Sequence, residues 1–156
     1  ATADGVKLIE YNARFGDPEA MNVLPLLDAD FIEICNSIAD GTLNSVDVQF
    51  QNKATVCKYA VPEGYPEKPV KGKPIDVSNV VNTDDLFYAS VDIQNGQLVE
   101  AGSRTVAVVG IANTISQAEK IAENEISAVE GPLFHRTDIG SMQLVNKRVE
   151  HMDSLR

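Results

Sequence analysis

Within the stretch LIEYNARFGDPE, residues 8–19, an acid, an amide and an arginine occupy every second position, and the run stops abruptly at Gly-Asp-Pro. Alternate residues of an extended strand project from one face about 7 Å apart, so Glu10, Asn12 and Arg14 would line a single surface. A carboxylate and an amide oxygen are hard ligands of the kind Mg²⁺ accepts, and that ion completes its octahedron with water and phosphate oxygens. Arg14 would stand beside those phosphates as a planar, permanently charged donor. A helix opening at Pro18 would aim backbone N–H groups at the same anion. On spacing alone, the solvent face of an ordinary strand accounts for the three residues at least as well.

The strand expected to carry them covers residues 6–15, with Ile9, Tyr11, Ala13 and Phe15 on the packed face and Leu8, Glu10, Asn12 and Arg14 on the other. Asp17 is placed to cap the helix that opens at Pro18, Glu19 suits its positive end, and Pro25 interrupts it. A second helix is expected from Asp30, where Glu33 completes a capping box. Phe31, Ile34, Cys35 and Ile38 would form its apolar face and Gly41 its stop. From residue 45 the texture changes to short strands. VDVQF (46–50) and ATVCKYAV (54–61) carry β-branched and aromatic residues. PEGYPEKPVKGKP (62–74), with Pro62, Pro66, Pro69 and Pro74, reads as a loop that is either mobile or functional. LFYASVDI and QLVEA flank Asn95-Gly96, a strong hairpin signal, and RTVAVVGIA (104–112) adds a third antiparallel strand. Thr114 and Gln117 form a capping box for a helix whose apolar face is Ala118, Ile121, Ala122, Ile126 and Val129, stopped by Gly131 and Pro132. LFHRTDIG and the charged tail to Arg156 read as irregular.

The 156 residues can bury one good core. With 13 basic against 23 acidic residues and a formal charge of −10, the chain has no basic run to displace counterions, which argues against nucleic acid as a partner. No apolar run approaches the roughly 20 residues of a membrane span, and the first residues lack a signal-peptide pattern. A soluble, cytoplasmic protein with no membrane partner is expected. Cys35 and Cys57 read as buried, reduced thiols. His135 and His151 lack ligand spacing and read as structural or solvated. Glu119, Glu123 and Glu130 read as solvated surface, as does Asp84-Asp85, and Arg136 with Asp138 could pin the tail to the sheet.

IEYNARFGDPEAM closely resembles the signature of the phosphoribosylamine–glycine ligases, also called glycinamide ribonucleotide synthetases, a purine-biosynthesis family of the ATP-grasp superfamily. GYPEKPVKGKPI, RTVAVVGIANTISQAEKIA and HRTDIG resemble later segments of that family, so the likeness covers nearly the whole chain. Glu-x-Asn alone occurs across ATP-grasp ligases, whereas Arg-Phe-Gly-Asp-Pro-Glu marks this branch. Two places depart from the family pattern: His135-Arg136-Thr137-Asp138 stands where two arginines are common, and Tyr88-Ala89-Ser90-Val91 replaces a His-Ala-Gly-Thr-like stretch.

The resemblance implies that Glu10 and Asn12 coordinate Mg²⁺ or Mn²⁺ bridging the phosphates of ATP. It further implies that Arg14 is a catalytic cation on phosphate and acyl-phosphate oxygens, and that Gly16, Asp17 and Glu19 bind substrate. The implied reaction activates glycine with ATP to a glycyl phosphate, which the amine of 5-phosphoribosylamine attacks to give an amide, ADP and phosphate. The implied fold is α+β. Residues 1–44 would be the C-terminal end of an ATP-grasp lobe, and residues 45–156 a small antiparallel β-rich, rudiment single hybrid-like domain with one packed helix. An N-terminal portion with a glycine-rich domain and nucleotide-binding lysines would be the partner without which the chain is not competent. Residues 1–44, parted from their natural sheet, are expected to leave Ile9, Tyr11 and Phe15 uncovered and prone to associate. Two alternatives stand beside this: a fragment of another ATP-grasp carboxylate–amine ligase, and a non-catalytic binding or assembly module built on residues 45–156.

Overall fold

The β-branched runs from residue 54 onward build the sheet that organises the molecule. The computed structural model describes every residue except Ala1, Ala3, Tyr11, Asn12 and Arg156. Its strands are β1 (Ala54–Pro62), β2 (Leu86–Tyr88), β3 (Val91–Gln94), β4 (Gln97–Glu100), β5 (Val106–Ala112) and β6 (Leu133–Phe134); its α-helices are α1 (Glu19–Val23), α2 (Phe31–Ala39), α3 (Ile115–Ser127) and α4 (Met142–Ser154). β2, β5, β1 and β6 lie side by side in that order in one antiparallel sheet, with Cys57 opposite Val109 and Leu86 opposite Val108. β3 and β4 pair separately as a two-stranded ribbon. Its turn is Asn95-Gly96, with φ of 50° and 78°, as a tight turn matched to the strand twist requires.

Side chains alternate across the sheet, so each central strand serves two faces. Val56, Ala60, Val106 and Val108 pack with Ala118, Ala122 and Ile126 of α3 in the main core. On the opposite face Cys57, Ala107 and Val109 are covered in part by Met21 of α1. Helix α3 comes close to β5 because residue 110 is glycine: a Cβ there would collide with the Ala118 carbonyl oxygen and stand 2.8 Å from the Ala122 nitrogen. The Thr114 hydroxyl accepts the Gln117 N–H at 3.3 Å, so the expected cap is present. Of the expected apolar face, Ile121 lies exposed at the edge.

Several sequence expectations need correction. Residues 6–10 belong to no ladder, and Val6, Leu8, Ile9 and Phe15 are 89%, 74%, 96% and 63% exposed. A period-two pattern becomes a strand only when another strand meets its hydrogen bonds, and none of the described segments lies beside this one. Residues 46–50 likewise form no strand; Leu43–Ser45 is a 3₁₀ turn and a lone bridge joins Phe50 to Leu27. Asp17 does not cap α1, whose N-cap is Pro18 without a side-chain bond. Asp30 does cap α2, accepting from the N–H groups of Ile32 and Glu33 at 2.8 and 3.2 Å. Yet Phe31, Cys35 and Ile38 of that helix are exposed and Ser37 is its buried residue, so Cys35 is no core thiol. The Phe31 ring instead meets Phe15, 6.0 Å between centroids.

LFYASVDI is split at Ala89-Ser90, which sends β2 to the main sheet and β3 to the ribbon. The segment after Pro132 is ordered: β6 pairs with the end of β1, and Ser141 caps α4 by accepting the Leu144 N–H at 3.3 Å. The fold is therefore α+β with antiparallel sheets, and α3 is the helix packed on the core. Glu119 and Glu123 are not simple solvated surface, because the ammonium of Lys58, 1% exposed, donates to them at 2.8 and 2.5 Å. Among the described residues no helix is long and apolar enough to cross a membrane.

Candidate functional site

The Gly16-Asp17-Pro18 turn docks on the sheet face that α3 leaves open. Asp17 Oδ1 accepts the Tyr59 hydroxyl at 2.7 Å, and Oδ2 lies 3.2 Å from Arg104 Nη1. The same guanidinium donates to the Asp17 carbonyl at 3.3 Å and lies over the Tyr59 ring, 5.3 Å from its centroid. A cation against an aromatic face and a carboxylate against both makes a closed three-way contact. Burial, and then the bond to Asp17, push the Tyr59 hydroxyl above its ordinary value. Burial works against the charge of Arg104, but a hydrogen bond with Tyr65 and the charge of Asp17 outweigh it and hold the guanidinium firmly protonated. Burial and the Asp17 charge together push the Cys57 thiol up to about 12, which leaves it an unreactive neutral thiol at pH 7.

Beside this contact opens a cleft of about 400 Å³. Pro18 lines it from the turn, Tyr59 and Val61 from β1, Tyr65 from the 62–74 loop, Arg104 from the approach to β5, and Phe134, Arg136 and Ile139 from the last motif. FGDPE, GYP, RTVAVV and HRTDIG are far apart in the chain and meet here.

The last of these segments is held from below. Lys58 Nζ donates to the Thr137 carbonyl at 3.1 Å as well as to the two glutamates of α3, and Glu123 reaches on to His135 Nε2 at 3.0 Å. Burial opposes the charge of Glu123, yet Lys58 and His135 prevail and keep its carboxyl below the usual range. A fully buried ammonium needs about this many acceptors, and supplying them ties β1, α3 and residues 135–137 together. Arg136 is gripped bidentately by Asp138, Nε to Oδ1 at 2.9 Å and Nη2 to Oδ2 at 2.6 Å, which raises the guanidinium and lowers the carboxyl. This pair is local to the loop and does not pin the tail to the sheet.

Of the residues singled out from sequence, Asp17 is at the cleft, with both carboxylate oxygens engaged. Gly16 is half-buried and Glu19 folds back over it, so a Cβ at 16 would meet the Glu19 carboxylate. Arg14 is exposed and donates to the neighbouring Phe15 carbonyl at 3.0 Å. Glu10 is exposed on the run 6–10, which belongs to no strand, and Asn12 lies outside the described residues. The structure does not bring Glu10 or Arg14 to the cleft. Sequence reasoning missed Lys58, Tyr59, Tyr65 and Arg104. For Lys58 a signal existed, since a lone charge inside TVCKYAV must be either a surface residue of an alternating strand or a buried one with partners.

An antiparallel sheet with one helix packed on one face, a separate ribbon, and distant segments meeting on its open face define a small α+β domain with one covered and one open sheet face. The family model described as Phosphoribosylglycinamide synthetase, C domain, matches residues 55–142. The phosphoribosylamine–glycine ligase of Methanocaldococcus jannaschii is 54% identical over 158 residues, covering 99% of this chain and 36% of its own length. That of Methanococcus vannielii is 55% identical, covering 99% and 35%. The crystal structure of phosphoribosylamine–glycine ligase from Thermotoga maritima superposes with a TM-score of 0.65 at 27% identity, covering 85% of this chain and 33% of that one. The chain belongs to the phosphoribosylamine–glycine ligase family and corresponds to the C-terminal part of its members, spanning about a third of the length of the curated relatives it matches.

Proposed function

We propose that this chain supplies the C-terminal part of a phosphoribosylamine–glycine ligase and works with the family's N-terminal portion to join glycine to 5-phosphoribosylamine at the expense of ATP. The observation that carries the reading is the meeting of FGDPE, GYP, Arg104 and HRTDIG at one cleft, in a chain of this family. In the reaction the glycine carboxylate attacks the terminal phosphorus of ATP, releasing ADP. The amine of phosphoribosylamine then attacks the glycyl carbon and phosphate leaves. Both steps gain from cationic stabilisation of phosphoryl oxygens and from holding two substrates in line with water kept out.

Glu10 and Asn12 suit a hard divalent cation by donor type, and Glu10 is exposed and can be reached. These two residues would hold Mg²⁺ or Mn²⁺, which would supply charge neutralisation at the ATP phosphates. Arg14, exposed and two positions on, serves as the catalytic cation for phosphoryl and acyl-phosphate oxygens. Gly16, Asp17 and Glu19 form the substrate end: the Glu19 side chain folds over Gly16, and Asp17 fixes the turn against Tyr59 and Arg104.

The test is the affinity for ADP with and without Mg²⁺, measured by calorimetry on this chain co-expressed with the N-terminal portion. A metal-dependent affinity reduced at least tenfold by Glu10→Gln is expected. Absence of any nucleotide affinity in the assembled form would favour a non-catalytic module.

A further inference from the structure

One edge of β4 pairs with β3, and the other receives the end of the 62–74 loop. Gly72 N–H donates to the Glu100 carbonyl at 2.7 Å, Glu100 N–H to the Lys73 carbonyl at 3.0 Å, and Ile75 N–H to the Leu98 carbonyl at 2.9 Å. Pro74 has no N–H to add, and two of these three bonds belong to Glu100. The backbone of one residue therefore seats the end of the loop whose Tyr65 forms part of the cleft wall.

The side chain of that residue is a misfit. Glu100 is 1% exposed, and neither carboxylate oxygen has a hydrogen-bond partner among the described residues. The charged groups acting on it are Glu63, where the loop leaves β1, and Lys73, where it meets β4; β3 presents Val91 opposite. A protonated carboxyl is neutral and tolerates such a place, whereas an ionised one without a partner demands water. Lifting the loop end off β4 admits that water and breaks the two backbone bonds of Glu100, a local opening that leaves the main sheet intact.

We propose that Glu100 is a proton-operated latch on the 62–74 loop: protonated, it lets the loop end seat on β4, and ionised, it drives that end off and loosens the cleft wall that Tyr65 forms. Burial and then Glu63 raise the carboxyl, with Lys73 opposing them, so the seated form is favoured at low pH and is lost as pH climbs through the raised value. The latch goes beyond the ligase reading and does not depend on it.

The test is backbone amide hydrogen exchange of the 156-residue chain, read by NMR as protection relative to the unstructured rate, between about pH 5 and about pH 8. Protection at Gly72 and Glu100 should fall about tenfold across that range while the amides of β5 keep theirs. Glu100→Gln, close in shape and neutral throughout, should abolish the fall. Glu63→Gln removes the like charge and should lessen it, and Lys73→Gln removes the opposing cation and should enlarge it; both positions are exposed, so neither change threatens the fold. Protection that does not change with pH, a fall that persists in Glu100→Gln, a fall shared by β5, or equal responses of the two charge variants would each overturn the latch.

Discussion

Two buried charges show how differently a strand can treat a polar residue. Lys58 is satisfied by three acceptors, whereas Glu100, 1% exposed at the end of β4, has neither carboxylate oxygen hydrogen-bonded among the described residues. Burial, and then the nearby charge of Glu63, raise its carboxyl above the ordinary value, with Lys73 acting weakly the other way. A carboxyl raised on folding contributes stability while it is protonated and loses that contribution as pH climbs through the folded value. Above the unfolded value, pH 7 included, the raised carboxyl is therefore a cost. Glu100→Gln should raise stability at pH 7 by about 1 kcal/mol, and the gain should vanish toward pH 4. Thermal unfolding at the two pH values checks this; equal destabilisation at both would show that Glu100 has a partner the folded state depends on. In sequence, QLVEA gives no hint that its glutamate turns inward, because a strand-end acid is ordinarily solvent-facing. Lys58 is more legible, as a lone charge amid β-branched neighbours, but its partners are 61 and 65 positions away and nothing local names them.

Among the elements, those governed by local chemistry were readable. Asn95-Gly96 needs positive φ at both positions, Thr114 needs only its own hydroxyl and the N–H three residues on, and both behave as expected. The strand proposed for residues 6–15 has the right alternation but no neighbour among the described segments, and pairing is a non-local property that alternation cannot report. Helix α4 was overlooked for the opposite reason: Ser141 and the spacing of Met142, Val145, Val149 and Met152 are helical signals, but the charged residues between them masked a narrow apolar stripe. Helix α3 approaches β5 closely at Gly110. Gly110→Ala should push the helix off the sheet and cost about 2 kcal/mol, measurable by denaturant unfolding. An unchanged midpoint would mean that α3 can slide to make room, contrary to the close approach at Ala118 and Ala122.

At the scale of the whole molecule, one sheet face is closed by α3 and the other carries the docked turn and the cleft. The convergence there of Pro18, Tyr65, Arg104 and Arg136 could not be read from sequence, since it depends on β1 and β5 pairing and on Lys58 holding residues 135–137 in place. The motif residues Glu10 and Arg14 were legible by type and resemblance, and the exposed segment carrying them adds a band of uncovered apolar surface at Val6, Leu8 and Ile9. Such a band suits burial against the N-terminal portion of the proposed ligase. The most direct measurement is ADP release that depends on both glycine and phosphoribosylamine, made on this chain alone, on its co-expressed assembly with that portion, and on the same assembly carrying Glu10→Gln. The account predicts activity in the assembly, none in the chain alone, and a loss of at least a hundredfold in the variant, a rate change typical when charge stabilisation of the transition state is removed. A well-folded assembly without glycine-dependent ADP release, or one indifferent to Glu10→Gln, would contradict it.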